Sequence, residues 1–160
     1  MTDERIVSAT RIINAPADVI FEQIADPAKQ PEWDGNDNLD SADEGQRITD
    51  EGQTFFTKLT KGAVRENLVT EFDEGRLIAW KPTPIGGPVP GHVWRWELSP
   101  VDPADDVDEG DSDYAGEKTE VTHTYDWTEL NDPARFERAR WTTSDRLAAS
   151  IDRLAELVEE

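Results

Sequence analysis

Three side chains in this sequence could transfer protons: His92, His123 and Glu66. The two histidines are the only ones in the chain, and each falls on the apolar face of a predicted strand. A histidine in such a place could act as a general acid or base with a pKa near neutrality. The simpler interpretation is a hydrogen-bonded core histidine or, for His92, a residue at the edge of a loop. His123 is the stronger catalytic candidate, because Tyr125 and Glu66 could reach the same space.

Glu66 alternates along its strand with Val64, Leu68, Thr70 and Phe72, so it could point inward with them. A buried carboxyl group has a raised pKa unless a cation lies close to it. Arg140, in the early part of the last predicted helix, could be that cation, or it could anchor a ligand carboxylate or enolate. The interpretation that we favour places both side chains at the rim, in solvent.

Aromatic side chains form the strongest pattern in the chain, which has six tryptophans and five phenylalanines. Two predicted strands carry them on one face, with His92, Trp94, Trp96 and Leu98 on the first and Val121, His123, Tyr125 and Trp127 on the second. If both faces point inward, they form a concave apolar wall with a few polar groups, which suits a small-molecule site. Plain core packing is the alternative. The predicted ligand-binding residues are Trp33, Phe55, Trp80, Trp94, Trp96, His123, Tyr125, Trp127, Phe136 and Arg140.

Several other chemistries have no support in the sequence. Cysteine is absent, which excludes disulfides and thiolate chemistry. The acidic stretches 34–38 and 105–113 lack the glycine and terminal glutamate spacing of an EF-hand loop, and two distant histidines do not predict a zinc site. No G-x-S-x-G nucleophile motif occurs. We therefore predict no metal and no cofactor.

The formal net charge of −20 disfavours nucleic acid and anionic membranes as partners. The basic residues are mostly arginine, and acids outnumber bases by 36 to 16. At molar salt the Debye length is about 3 Å, so the self-repulsion of such a chain is screened. The N-terminus has no signal-peptide pattern, and no apolar run is long enough to cross a bilayer. These features predict a cytoplasmic protein of a halophile, with no membrane insertion.

Hydrophobic periodicity predicts one domain over 1–160. A β-branched strand at 5–14 is followed by a short helix with Pro16 in its first turn, and by a second helical turn that begins at Pro27. A short edge strand is expected near Leu39, and strands are predicted at 53–60, 64–73, 76–81, 91–99 and 119–128. Residues 100–118 are predicted to form a flexible acidic loop. A long amphipathic helix, capped by Asn131 or Asp132, then runs to the C-terminus and must bury its apolar stripe against the sheet.

This order of elements, with four local patterns, resembles the SRPBCC or START-like superfamily and its polyketide cyclase-like branch. The patterns are Ile13 to Phe21 (INAPADVIF), Ile24 to Pro27 leading to Pro31-Glu32-Trp33, the strand Thr119 to Thr122, and the helix ending Leu147 to Leu157. The resemblance implies an α+β helix-grip fold, in which a seven-stranded curved antiparallel sheet wraps around a long C-terminal helix. It also implies two short helices after the first strand, an apolar cavity between sheet and helix, and a cavity mouth bordered by the 81–91 loop. It does not imply a particular reaction.

Three hypotheses about function are consistent with these residues and with the resemblance. The first is the binding of a small hydrophobic or amphipathic molecule by a monomer or weak dimer, with His123, Tyr125 and Arg140 orienting the ligand's polar end. The second is a cyclase, dehydratase or aromatase, in which proton transfer falls to His123 or Glu66. The third is a module that binds partners through its surface.

Overall fold

The computed structural model describes residues 5–33, 39–42, 45–60, 62, 64–84, 91–101, 118–130 and 133–158. The strands are β1 (Ile6–Ile13), β2 (Leu39–Ser41), β3 (Thr54–Leu59), β4 (Val64–Asp73), β5 (Leu77–Pro84), β6 (Val93–Pro100) and β7 (Thr119–Asp126). The α-helices are α1 (Ala17–Ala25), α2 (Phe136–Trp141) and α3 (Ser144–Val158), with 3-10 helices at Pro27–Glu32 and Pro133–Arg135. The predicted 131–132 helix cap, most of the 100–118 loop and the centre of the 81–91 loop lie outside the described residues.

All the strands join one antiparallel sheet in the order β1-β7-β6-β5-β4-β3-β2. The chain meanders from β2 to β7, and β1 pairs along its whole length with β7, so the first and last strands are neighbours in the sheet. Six strands have six to ten residues each, and the three-residue β2 extends the sheet at one edge. The α+β class and the antiparallel sheet are confirmed. The sheet has the seven strands implied by the resemblance only if the three-residue β2 is counted as a strand.

A β-bulge in β4 reverses which residues face the interior. The register shifts between Val69 and Glu71, so Thr70 is an extra residue without a partner on β5. Val69 is buried before the bulge, and Phe72 packs on the core after it. An uninterrupted alternation would have placed these two residues on opposite faces.

The predicted long C-terminal helix is interrupted, which corrects the sequence-based expectation. The amide of Thr142 donates to the carbonyl of Ala139 (3.1 Å) and ends α2. The carbonyl of Thr143 then accepts from the amides of Arg146 (3.0 Å) and Leu147 (3.2 Å) and begins α3. Two threonines and a serine follow one another at this point, and such residues have only moderate helix propensity and compete locally for backbone hydrogen bonds.

The helix α3 lies against β1, β7 and α1, as the amphipathic pattern predicted. Its side chains Leu147, Ile151 and Leu154 are buried. Ile151 and Leu154 join the main core with residues from α1, with Trp33 directly after the first 3-10 helix, and with the inner faces of β3 to β7. Leu147 joins a smaller core at the Trp127 end of the sheet. Among the described residues, no helix is long and apolar enough to cross a membrane.

Candidate ligand-binding site

The inner faces of β6 and β7 carry a stack of aromatic rings. Because Trp96 lies opposite His123 and Trp94 opposite Tyr125 in the strand register, their side chains share one face of the sheet. The His123 ring is parallel to that of Trp96, with 3.7 Å between centroids and 15° between planes. The His123 ring also stacks with the Trp94 ring, with 5.6 Å between centroids and 18° between planes. The Trp94 ring also contacts Tyr125 at 4.4 Å. The predicted inward direction of both faces is therefore confirmed.

His123 is held as a neutral ring in this stack. Its Nδ1 lies 3.1 Å from the carbonyl oxygen of Arg95, and since a carbonyl can only accept, we assign the proton to Nδ1. Burial lowers the pKa of His123 to about 3, and the hydrogen bond to Arg95 opposes this only in part. The near-neutral pKa expected of a catalytic histidine is therefore absent, and the ring is neutral at pH 7.

The indole of Trp96 is fully buried, and its Nε1 has no hydrogen-bond acceptor within the described part of the chain. Trp33 meets the Trp96 ring edge-on at 5.1 Å, and its own Nε1 donates to the carbonyl of Gln23 at 3.0 Å. The two neighbouring indoles thus differ, because one N–H is paired and the other is not. A buried unpaired donor is unusual, and a ligand or a water molecule could supply its acceptor.

A cation lies between two rings at the other end of the β7 face. The Arg5 guanidinium is 4.7 Å from the ring centre of Trp127 and 4.8 Å from that of Phe136, and it donates to the carbonyl of Leu130 at 3.4 Å. Arg5 is not among the site residues predicted from the sequence. In the sequence, only its position at the start of the first predicted strand could have indicated a role. In the structure, the amide of Trp127 donates to the Arg5 carbonyl at 2.8 Å, which places the two residues side by side.

A cleft of about 580 Å³ opens beside this end of the sheet, between β1, Trp127 and the α2–α3 junction. Its lining residues are Ile6, Val7, Ser8, Trp127, Ala139, Arg140, Thr142, Thr143 and Ser144. The lining therefore combines apolar residues with residues that carry hydroxyl groups and one guanidinium. The cleft is within the size range of small-molecule sites. The hydroxyl residues of the junction are not among the predicted site residues, because the sequence pattern predicts a continuous helix there.

The predicted ligand-binding residues divide into separate groups. Those in the main core are Trp33, Phe55, Trp80 and Trp96, with Trp94 packed against them, and those in the smaller core beside the cleft are Tyr125 and Trp127, with Phe136 packed against them. His123 is buried in the stack between these groups. Phe55 and Trp80 are in edge-on contact at 5.5 Å. Only Trp127 and Arg140 line the cleft, where Arg140 is exposed.

Glu66 is not part of this interior, so of the two placements that the sequence left open, the structure contradicts the inward one. It lies opposite Phe56, whose side chain is 42% exposed, while the next residue, Asn67, is buried opposite Phe55. The inward placement failed because Val64 and Leu68, which share the face of Glu66, are themselves exposed hydrophobic residues, and because Phe72 follows the bulge. Glu66 and His123 therefore do not face a common space. Among the described residues, no group of three or more His, Cys, Asp or Glu could hold a metal ion.

The fold and these cores define a helix-grip protein of the SRPBCC type, with an aromatic interior between an antiparallel sheet and C-terminal helices. The family described as "Polyketide cyclase / dehydrase and lipid transport" matches residues 4–159. The chain belongs to this family, which confirms the resemblance. A comparison with curated proteins finds no match.

Solved structures show the same fold at low sequence identity. A Nitrosomonas europaea protein has a TM-score of 0.65 at 15% identity, with 98% of this chain and 96% of that chain covered. The Aha1 dimer from Colwellia psychrerythraea has a TM-score of 0.61 at 14% identity, with 96% of each chain covered. Ginseng major latex-like protein 151 from Panax ginseng has a TM-score of 0.56 at 14% identity, with 97% of each chain covered.

Proposed function

We propose that this protein binds a small hydrophobic or amphipathic molecule in the cleft between β1, Trp127 and the α2–α3 junction. The observation that carries the proposal is the cleft itself, whose volume is about 580 Å³ and whose lining combines apolar residues with residues that carry hydroxyl groups and a guanidinium. Burial of apolar ligand surface would supply most of the affinity, at roughly 25 cal/mol per Å² before ordering costs are subtracted.

The aromatic stack is the inner support of this site. Trp127 lines the cleft and packs in the smaller core with Tyr125, against which Trp94 rests. A rigid wall of this kind loses little conformational freedom when a ligand arrives, because its rings are already held by their neighbours. We further propose a salt-rich cytosol as the setting, on the basis of the net charge of −20.

Binding is a better interpretation of these residues than a cyclase or dehydratase reaction. A proton-transfer enzyme needs a group whose pKa lies near the working pH. Burial lowers the pKa of His123 to about 3, and Glu66 lies on the outer face of β4. His123 and Glu66 therefore lie on opposite faces of the sheet and cannot act together on one bound molecule.

Two variants of β1 test where the ligand binds. Ser8 lines the cleft, and Ile12 is an exposed residue on the same face of the same edge strand but outside the cleft lining. Ser8→Trp should block the cleft, while Ile12→Trp is the matched control for a new exposed indole. Native mass spectrometry of protein purified in high salt should show a bound small molecule in the wild type and in Ile12→Trp, and less of it in Ser8→Trp. Equal occupancy in all three proteins would contradict the proposed site.

A further inference from the structure

The two edges of the sheet differ in how their backbone groups are covered. At the β3 edge, β2 pairs with Lys58 and Leu59, and the side-chain amide of Gln46 continues this cover. The Nε2 of Gln46 donates to the carbonyl of Phe56 at 2.9 Å, and its Oε1 accepts from the amide of Phe56 at 2.6 Å. A side-chain amide thus takes the place of a neighbouring strand, which closes this edge to another chain.

The β1 edge has no such cover from the described part of the chain. The amide of Trp127 donates to the carbonyl of Arg5 at 2.8 Å, so Arg5 and every second residue after it direct their backbone groups to β7. The amides and carbonyls of the residues between them point away from the sheet. These residues are Ile6, Ser8, Thr10 and Ile12, and all four are exposed.

The strand β1 also lacks the features that protect an exposed edge. Natural edge strands are short, carry lysine or proline, or contain a bulge. By contrast, β1 has eight residues, pairs with β7 without a register shift, and contains neither lysine nor proline. On its outer face, the side chains of Ile6 and Ile12 are 51% and 44% exposed. We infer, going beyond the proposed function, that this edge pairs antiparallel with β1 of a second copy of the chain.

A second copy fits this edge because β1 is complementary to itself. In an antiparallel pair, residues whose backbone groups point outward lie opposite one another, and the register that pairs all four of them is centred on Ala9. Ile6 then lies beside Ile12 of the second copy, and Ser8 lies beside Thr10 of the second copy. The two-fold symmetry repeats the apolar contact and the hydrogen bonds, so both edges are covered by one interface.

The charges favour this edge for contact between two acidic molecules. The chain has 36 acidic residues, yet β1 contains none of them. Its one charged residue, Arg11, is 2.9 Å from Asp152 of its own α3 and would lie beside Val7 of the second copy. On the outer face, Asp126 and Glu120 are one strand further in, on β7. In the dimer, three strand spacings, about 14 Å, separate Asp126 of one copy from Glu120 of the other, which exceeds the Debye length at physiological salt.

The pairing also brings the second copy to the rim of the cleft. Ile6 and Ser8 are among the lining residues of the cleft. Ile12 and Thr10 of the second copy would lie beside them and extend that wall. The dimer does not depend on a ligand, so its failure would leave the proposed function unaffected.

Single cysteines test the register, because the chain has no cysteine of its own. The two Cα atoms of residue 9 would be about 4.5 Å apart, as in a non-hydrogen-bonded pair, and a disulfide can span this distance. The two Cα atoms of residue 10 would be about 9 Å apart, which a disulfide cannot span. In molar KCl with a mild oxidant, Ala9→Cys should therefore form a disulfide-linked dimer at least about ten times faster than the control Thr10→Cys. Random collisions would give the opposite order, since Thr10 is the more exposed of the two residues.

Sedimentation equilibrium in molar KCl measures the association itself. Thr10→Pro removes an amide that points out of the edge and places a proline ring against the second copy. Thr54→Pro is the matched control, because Thr54 is an exposed threonine of β3 whose amide, like that of Phe56, points away from β4. The wild type and Thr54→Pro should dimerise at micromolar concentration, and Thr10→Pro should raise the dimer Kd at least about tenfold. In dilute KCl the wild-type dimer should weaken, because the net charge of −20 is screened less.

Thermal unfolding shows whether each variant folds, and if Thr10→Pro does not, the two cysteine variants decide the question. A wild type that stays monomeric throughout the micromolar range in molar KCl would overturn the inference. Equal Kd values for the two folded proline variants would do the same, as would cross-linking of Thr10→Cys as fast as that of Ala9→Cys.

Discussion

Replacement of His123 by phenylalanine should change how the stability of this protein depends on pH. The histidine is fully buried between Trp94 and Trp96, and its pKa falls from 6.5 to about 3 because burial disfavours the charged ring. Phenylalanine keeps a flat ring in the stack but cannot bind a proton. The difference between the two proteins therefore isolates the titration of this one side chain, since their carboxylates are the same.

The sign of the effect follows from proton binding. Between pH 6.5 and 3 the unfolded chain binds a proton at residue 123 and the folded protein does not, so acidification favours unfolding. A pH of 5 lies 1.5 pH units below 6.5, the pKa of the histidine in the unfolded chain. At 1.36 kcal/mol per pH unit, protonation of the unfolded chain at this residue therefore lowers the free energy of unfolding by about 2 kcal/mol. Above pH 7 the ring is neutral in both states and contributes no pH dependence.

Urea unfolding at pH 7 and pH 5, in constant molar KCl, measures this quantity. The free energy of unfolding of the wild type, relative to His123→Phe, should fall by about 2 kcal/mol between the two pH values. In parallel, the ring protons of His123 should show no titration in an NMR series down to pH 4, with His92→Phe used to assign the two histidine signals. A constant difference between the proteins, or a titration of His123 near pH 6.5, would refute the buried neutral ring.

Three further results are expected. Trp33→Phe should destabilise the protein by about 1 kcal/mol more than Trp96→Phe in chemical unfolding, because only the Trp33 indole loses a hydrogen bond; equal losses would mean that the Trp96 N–H is paired. Gly91→Ala should cost about 3 kcal/mol or more, because φ is +111° and the new Cβ would collide with the Glu129 carbonyl oxygen, whereas Gly75→Ala, with φ of +80° and open space, should cost only about 1 to 2 kcal/mol. Similar losses in the two glycine variants would contradict the close approach. The thermal midpoint should rise by about 5 °C or more between dilute and molar KCl, because salt screens the net charge of −20, and a midpoint that does not change would argue against adaptation to high salt.

The sequence by itself determined the elements whose pattern is local. The alternation of Val121, His123, Tyr125 and Trp127 assigned β7 and its buried face, and all four side chains are buried. Pro16 before an apolar run predicted the start of α1 to within a residue or two, since Pro16 is the N-cap of the helix and not part of its first turn. These predictions succeed because a strand repeats every two residues, and a helix start depends on the few residues that form it.

The tertiary structure alone decided where the chain departs from these periods. The extra residue in β4 is an outcome of pairing with β5, so nothing in the alternation around Glu66 reveals that the face changes before Phe72. The apolar stripe of the predicted C-terminal helix continues through Thr143. The helix is nevertheless interrupted there, and the cleft beside Arg140 lies at this interruption. The low pKa of His123 likewise depends on two rings from a neighbouring strand. In each case the deciding contacts join residues that are distant in sequence, and spacing along one segment does not contain them.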